Sequence, residues 1–260
     1  MFKPSQLHHS SSHDHCPTFM PNTFGMLCWN VHKNNQKHPQ FKTFLQKEVE
    51  KRVVDLILFQ EANFYDNQHF ELPLFSYNAA ANLEFKGEFY GVLTASKTES
   101  TDAKAYLSEG RESIFGPHKS LLLSSYTFHD SSTLLVINVH AINFRENQRY
   151  SKELERFLGL VETYKGAMIL AGDFNSWNNK RMEKLQNITK KLSLKEVNFK
   201  NTGKVKSFMG KKLDFIFYRE LELVDSVVLE EHNLSDHNPL FVNFKRVRNN
   251  LVNADVAKGI

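Results

Sequence analysis

MILAGDFNSWNNKRM, residues 168–182, is the stretch on which the reading of this chain turns. Its apolar start reads as a buried strand that stops at Gly172. Asp173, Asn175, Ser176 and Asn178 then follow within six positions. A loop tied to a rigid strand end is where α/β proteins commonly hold reactive side chains. An Asx-type turn that only reverses the chain would use the same residue types. The rest of the sequence has to separate the two.

Working outward, apolar runs of strand length recur at 24–31, 53–60, 89–95, 119–128 and 133–140, and again at 167–174, 212–219, 222–230 and 239–244. Helical spacing occurs over 38–51, 146–164 and 178–190. In the second of these, Tyr150, Leu154, Phe157, Leu158 and Val161 form one apolar stripe, which is core material. So many strands with three helices do not make a simple alternating βαβ chain; they predict an α/β fold of mixed sheets with helices outside. The chain is 41% hydrophobic and 24% charged, a balance that supports a sizeable core and argues against global disorder.

The first 22 residues, MFKPSQLHHSSSHDHCPTFMPN, are polar and lack the continuous apolar stretch of a secretory leader. They predict a flexible, His-rich tail, in which His8, His9, His13, His15 and Cys16 offer at most a weak metal site. One domain is expected over 23–246, with a short C-terminal tail over 247–260. No apolar run approaches the roughly 20 residues that cross a bilayer. Two cysteines, Cys16 and Cys28, cannot build a disulfide framework, so a reduced cytoplasmic protein is expected.

The net charge of +4 hides an uneven distribution. Between Lys180 and Lys212 there are eleven basic residues, opposed only by Glu183 and Glu196. Such a field suits a polyanion such as nucleic acid, although a solvated Lys-rich helix and loop would look the same.

Six segments place an acid, amide or imidazole at an element boundary: Trp29-Asn30, Gln60-Glu61, Asn138-Val139-His140, Gly172-Asp173-Phe174-Asn175, Leu213-Asp214 and Ser235-Asp236-His237-Asn238. In an α/β sheet such boundaries can converge on one edge. Glu61, Asp173, Asp214 and Asp236 are hard oxygen donors with no cysteine among them, which favours Mg²⁺ or Mn²⁺ over structural zinc. The chain has no HExxH pairing for a zinc protease, no GxSxG elbow for a serine hydrolase and no GxxxxGK[ST] phosphate loop. Carboxylates, amides, two histidines and a divalent ion match hydrolysis of a phosphate ester.

In this order, CWN (28–30), FQEA (59–62), NVHAIN (138–143), GDFN (172–175), KLDFIF (212–217) and LSDHNPL (234–240) resemble the endonuclease/exonuclease/phosphatase superfamily. The phrases AGDFNSW, LDFIFYR and SDHNPL are most similar to its YafD-like bacterial group. The resemblance implies a DNase I-like four-layer α/β sandwich, two mixed β-sheets face to face and flanked by helices. It also implies roles. Glu61 with Asn30 would hold the metal, and Asp236 would be a further ligand or a structural partner. Asp173 would orient or deprotonate the attacking water, and Asn175 would steady it. Asp214 would fix the tautomer of His237, and His140 would donate to the phosphoryl oxygens. Asn143, Arg145 and Lys119 are expected to touch substrate phosphates.

Three functions follow as expectations. The first is a metal-dependent phosphodiesterase acting on nucleic acid, with the basic segment 180–212 tracking the phosphate backbone. The second is a phosphoesterase for a small molecule or lipid headgroup, since one site serves both. The third is a non-catalytic module that kept the fold. Nothing in the sequence calls for an obligate protein partner.

Overall fold

The computed structural model describes residues 7–11, 16–111, 118–141, 147–231 and 233–247. Successive side chains of a strand face opposite ways, so a central strand that is apolar on both faces needs a cover on each. The inner strands of this chain are of that kind. The first strands are β1 (Leu7–Ser10), β2 (Phe19–Met20), β3 (Thr23–Asn30), β4 (Val54–Tyr65), β5 (Ser76–Phe85) and β6 (Glu88–Ser96). They are followed by β7 (Asp102–Arg111), β8 (His118–Phe128), β9 (Thr133–His140), β10 (Ala167–Asp173) and β11 (Lys195–Glu196). The last are β12 (Ser207–Phe208), β13 (Lys211–Lys212), β14 (Asp214–Arg219), β15 (Leu221–Val228) and β16 (Leu240–Arg246). Three helices intervene: α1 (Phe41–Arg52), α2 (Asn147–Val161) and α3 (Asn179–Lys191).

One sheet runs β1-β5-β6-β4-β3-β16-β15, and the other β11-β14-β10-β9-β8-β2 with β7 also on β8. Both are mixed, because β3 pairs with β4 and β9 with β10 in parallel while most other pairs are antiparallel. Three cores separate four layers. Leu27, Trp29, Ile57 and Phe59 meet Phe41, Leu45 and Val49 of α1. Met26, Cys28, Leu56 and Leu58 of the first sheet meet Val136, Ile169, Ala171 and Ile216 of the second. Ile137, Leu170, Phe215 and Phe217 then meet Leu154 and Leu158 of α2 and Leu185 and Ile188 of α3. The four-layer α/β sandwich is therefore as expected.

The same parity positions the polar residues. Along each inner strand the residues facing the other sheet end in Asn30, Gln60, His140, Asp173 and Asp214. The inter-sheet core thus opens at one end into a polar cleft.

The N-terminal segment departs from expectation. Leu7–Ser10 pairs with β5 and Phe19–Met20 with β8, so the sheets begin upstream of residue 23 and these residues are not tail. His8 is buried, its ring 5.3 Å from that of Phe64 and 4.3 Å from that of Phe89, a packing role that a polar LHHS segment does not announce. Strands β5 and β7 were also not expected. Their SYNAAANLEF and DAKAYLSEGR sequences are rich in Ala, Asn and charged residues of low strand preference, and tertiary pairing overrides that preference. No helix among the described residues is long and apolar enough to cross a membrane.

Candidate active site

Each side chain reaches the cleft through a local backbone device. Between Phe59 and Ala62 the β4–β6 register shifts, and Glu61 adopts φ +51°. The bulge lets Gln60 keep facing the other sheet while Glu61 turns to the cleft. Beneath it, Gln60 Nε2 donates to Asn138 Oδ1 at 2.7 Å, and Asn138 Nδ2 donates to the Phe59 and Leu93 carbonyls at 3.1 and 3.0 Å. This fully bonded amide pair ties the two sheets together directly below the site.

Asp173 closes β10 opposite His140 on one side and Asp214 on the other. Its Oδ1 accepts from the Asn175 backbone N–H at 3.0 Å, and its Oδ2 accepts from Asn30 Nδ2 at 3.2 Å. Asn175, at φ +48°, donates its amide to the Ala141 carbonyl at 3.0 Å. This is an Asx turn, so the turn reading of the opening stretch and the functional one are both satisfied by the same atoms.

His237 Nδ1 lies 2.8 Å from Asp214 Oδ2. Its loop is held by its own neighbours. Trp29 Nε1 donates to the His237 carbonyl at 2.7 Å, Ser235 Oγ donates to the Asn30 carbonyl at 2.7 Å, and the His237 N–H donates to Ser235 Oγ at 3.1 Å. Burial opposes charge on His237, but Asp214 in contact outweighs it and lifts the imidazole to about 9. Burial, with Asp214 as a like charge, raises the Asp173 carboxyl to about 7. His140 moves the other way: burial first and then the Lys119 cation push it well below the ordinary histidine range.

Of the expected site residues, Asn30, Glu61, Lys119, His140, Asp173, Asn175, Asp214 and His237 come together. Asn30 Nδ2 is 3.5 Å from Glu61 Oε1, and His140 Nε2 is 3.7 Å from both Glu61 Oε1 and Asp173 Oδ2. Lys119 Nζ approaches His140 Nε2 at 3.0 Å. An ammonium has only donors, so that ring nitrogen accepts, and the cationic donor at this wall is Lys119 rather than His140. Asp236 lines the same cleft from its rim. Its half-exposed carboxylate bonds Lys206 Nζ at 2.7 Å and lies 3.5 Å from His32, on the rim. Asn143 and Arg145 lie outside the described residues.

The cleft, about 490 Å³, is further lined by Lys33, Asn82, Tyr90, Trp177, Lys206 and Phe208. No local pattern distinguishes these in the sequence, apart from Trp177 inside the quoted stretch. The basic segment is dispersed: Arg181 is fully buried, and Lys184, Lys204, Lys206 and Lys212 pair with Glu155, Glu230, Asp236 and Glu196. Lys190 and Lys191 end α3, roughly 18 Å of helix from its start near the site.

Asp173, Asp214 and His237 offer ligand atoms within 4.8 Å of one another, a grouping able to hold a metal ion. Asp214 Oδ1 is buried and accepts no hydrogen bond among the described residues. An orphaned carboxylate oxygen beside the Asp173 carboxylate and the His237 ring fits a hard divalent cation in chemistry and charge.

Two curled mixed sheets with helices outside and this cleft at one end define a DNase I-like α/β sandwich. The chain belongs to the Endonuclease/Exonuclease/phosphatase family, whose model matches residues 27–237 and whose superfamily members are phosphoester hydrolases. A UPF0294 protein of Photorhabdus laumondii is 34% identical over 231 residues, 86% of this chain and 84% of that one. A UPF0294 protein of Yersinia enterocolitica is 43% identical over 136 residues; this match spans about half of either chain, 52% of each. Among solved structures, a mannosyl-6-phosphatase of Bacteroides thetaiotaomicron matches with a TM-score of 0.62 at 16% identity, over 85% of this chain and 99% of that one. An AP endonuclease of Leishmania major matches with a TM-score of 0.62 at 15% identity, over 86% and 88%. At these identities the likeness is one of fold.

Proposed function

We propose that the protein is a divalent-metal-dependent phosphodiesterase that hydrolyses nucleic acid. The observation that carries this reading is the His237–Asp214 pair abutting Asp173 in a cleft walled by Lys33, Lys119 and Lys206. Glu61 and Asn30 would hold Mg²⁺ or Mn²⁺. When bound, the ion neutralises phosphate charge and polarises a phosphoryl oxygen. The chain's own groups do the rest. Asp173, with its raised pKa, takes the proton of the attacking water. Asn175, its amide nitrogen committed to Ala141, accepts from that water through Oδ1. His237, charged and oriented by Asp214, faces the phosphate, and Lys119 donates to phosphoryl oxygens as charge builds. Flanking phosphates meet Lys33 and Lys206 on the rim, the latter from within the basic segment 180–212 and exchanging Asp236 for a phosphate. The two free cysteines agree with a reducing, cytoplasmic setting.

A second reading, a small-molecule or lipid-headgroup phosphoesterase, is favoured by the cleft's volume, which lies within the range of small-ligand pockets. The mannosyl-6-phosphatase shares the fold, so the fold also admits that chemistry.

Incubation with plasmid, single-stranded DNA, RNA and bis-p-nitrophenyl phosphate under Mg²⁺, Mn²⁺ or EDTA tests the proposal. Cleavage of a polymer that requires metal and vanishes in an Asp173→Asn/His237→Ala double variant is the expected result. Turnover of the small ester alone would transfer the assignment to the second reading. Silence on all four would overturn the phosphodiesterase assignment.

The pH profile is a separate prediction. kcat/KM is expected to rise through about 7 as Asp173 loses its proton, and to fall through about 9 as His237 loses its own. In Asp214→Asn the largest influence raising His237 is gone while burial remains, so the alkaline limb should move down from about 9, and the acid limb should move down as well because Asp214 also raises Asp173. A profile with both limbs unmoved would refute the assignment.

A further inference from the structure

We propose that Trp177 and Phe208 form a stacking platform for an unpaired nucleobase adjoining the scissile phosphate, so that the enzyme selects base-bearing single strands. The inference rests on the phosphodiesterase reading above and adds what that reading lacks, a reason for substrate choice.

Both rings line the same cleft as Asp173 and His237. Trp177 follows Asn175 by two residues, so its backbone lies within about 7 Å of a residue that contacts the reacting groups. The indole is held from below. The guanidinium of Arg181 sits 4.9 Å from its centroid and 4.5 Å from that of Tyr150, and Arg181 Nη1 donates to the Asn175 carbonyl at 2.9 Å. A fully buried arginine between two rings fixes the wall that carries Trp177, so little side-chain freedom is left to lose on binding. Phe208 meets the indole edge to face, at 6.3 Å and 86°.

Phe208 and Met209 belong to the small β12–β13 hairpin, which joins neither large sheet, and they are 48% and 73% exposed. Apolar side chains left in water beside a phosphate site call for an occupant. A phosphorylated sugar offers hydroxyls and no flat aromatic face. A lipid surface would ask for a larger apolar face than the side chains of Phe208 and Met209. A nucleotide unit supplies both an anion for Lys119 and Lys206 and a planar ring one sugar away. Such stacking tolerates any base, because every base has a π-face.

The test compares the metal-loaded protein on a single-stranded DNA oligomer and on one of equal length with tetrahydrofuran abasic units throughout. The wild type is expected to favour the base-bearing oligomer about 10-fold in kcat/KM, equivalent to ~1.4 kcal/mol, mainly through KM. Phe208→Ala and Trp177→Ala should bring the two oligomers within about 2-fold of one another, and Trp177→Phe should keep most of the preference. Phe208 is half exposed, so its variant is a fair test even if Trp177→Ala disturbs the Arg181 stack. Trp29, the only other tryptophan, is 1% exposed and stacked on Phe41, so fluorescence quenching by the base-bearing oligomer alone would report Trp177. Equal cleavage of both oligomers overturns the platform and leaves the phosphodiesterase standing. Cleavage of neither overturns both. Sedimentation with phosphatidylglycerol vesicles that is lost in Phe208→Ala would assign the hairpin to a membrane and also overturn the inference.

Discussion

Asp173→Asn is expected to lower kcat about 10³-fold on any phosphodiester the protein cleaves, equivalent to ~4 kcal/mol of transition-state stabilisation. The variant is nearly isosteric and its side chain can still accept from the Asn175 N–H, so the Asx turn survives. It cannot take a proton at neutral pH. Stability should move in the opposite direction. The folded pKa of Asp173, about 7, is raised above its ordinary 3.8 by burial and by Asp214. The stability linked to this group is therefore complete below about 3.8 and is lost as pH rises through about 7. In metal-free buffer at pH 8 the variant should melt above the wild type, and the gap should narrow towards pH 5. Thermal melts alongside single-turnover rates check both halves. A variant that is inactive and also less stable at pH 8 would mean that Asp173 holds the cleft together rather than serving its chemistry.

What the sequence disclosed and what it withheld divide along the range of the interactions. The inner strands could be read because both of their faces are apolar, and the strand ends because acids and amides interrupt those runs. Asn30, Glu61, His140, Asp173, Asp214 and His237 were all visible in this way; inter-sheet parity brings Asn30, His140, Asp173 and Asp214 together, while Glu61 arrives through its bulge and His237 through its loop. Strands β5 and β7 were hidden because Ala and Asn pair there only under the order imposed by β6 and β8. The local charge sum overstates the free charge of the basic segment for a related reason. Lys184 and Lys204 are neutralised by acids 29 and 26 positions away, outside the segment, and no local charge sum contains those partners. Arg181 reads as one more surface cation in NNKRM. Its burial depends on Tyr150 from α2, which the chain supplies 31 residues earlier.

Gly172→Ala is expected to be strongly damaging for a change of one methyl group. Gly172 has φ +139°, a conformation L side chains rarely adopt. A Cβ there would stand 2.0 Å from the Val139 carbonyl oxygen and 2.9 Å from its carbon. Those atoms are backbone of the neighbouring parallel strand, in register opposite Gly172, and cannot swing aside as a side chain would. Strand β10 must either part from β9 or twist, and the next pair along the ladder is Asp173 with His140. A cost of about 3–5 kcal/mol follows from strain combined with lost pairing, or a melting temperature lower by roughly 10 °C for a domain of this size. Gly159→Ala supplies the opposite sign in the same protein. It lies exposed within α2 with nothing within 4 Å of an added Cβ, so alanine should stabilise by about 0.5–1 kcal/mol. If both variants melted alike, the close approach of β9 to Gly172 would not be what aims Asp173 into the cleft. If they diverge as expected, the glycine that ends the apolar run in MILAGDF is there because two backbones must touch before a carboxylate can be delivered.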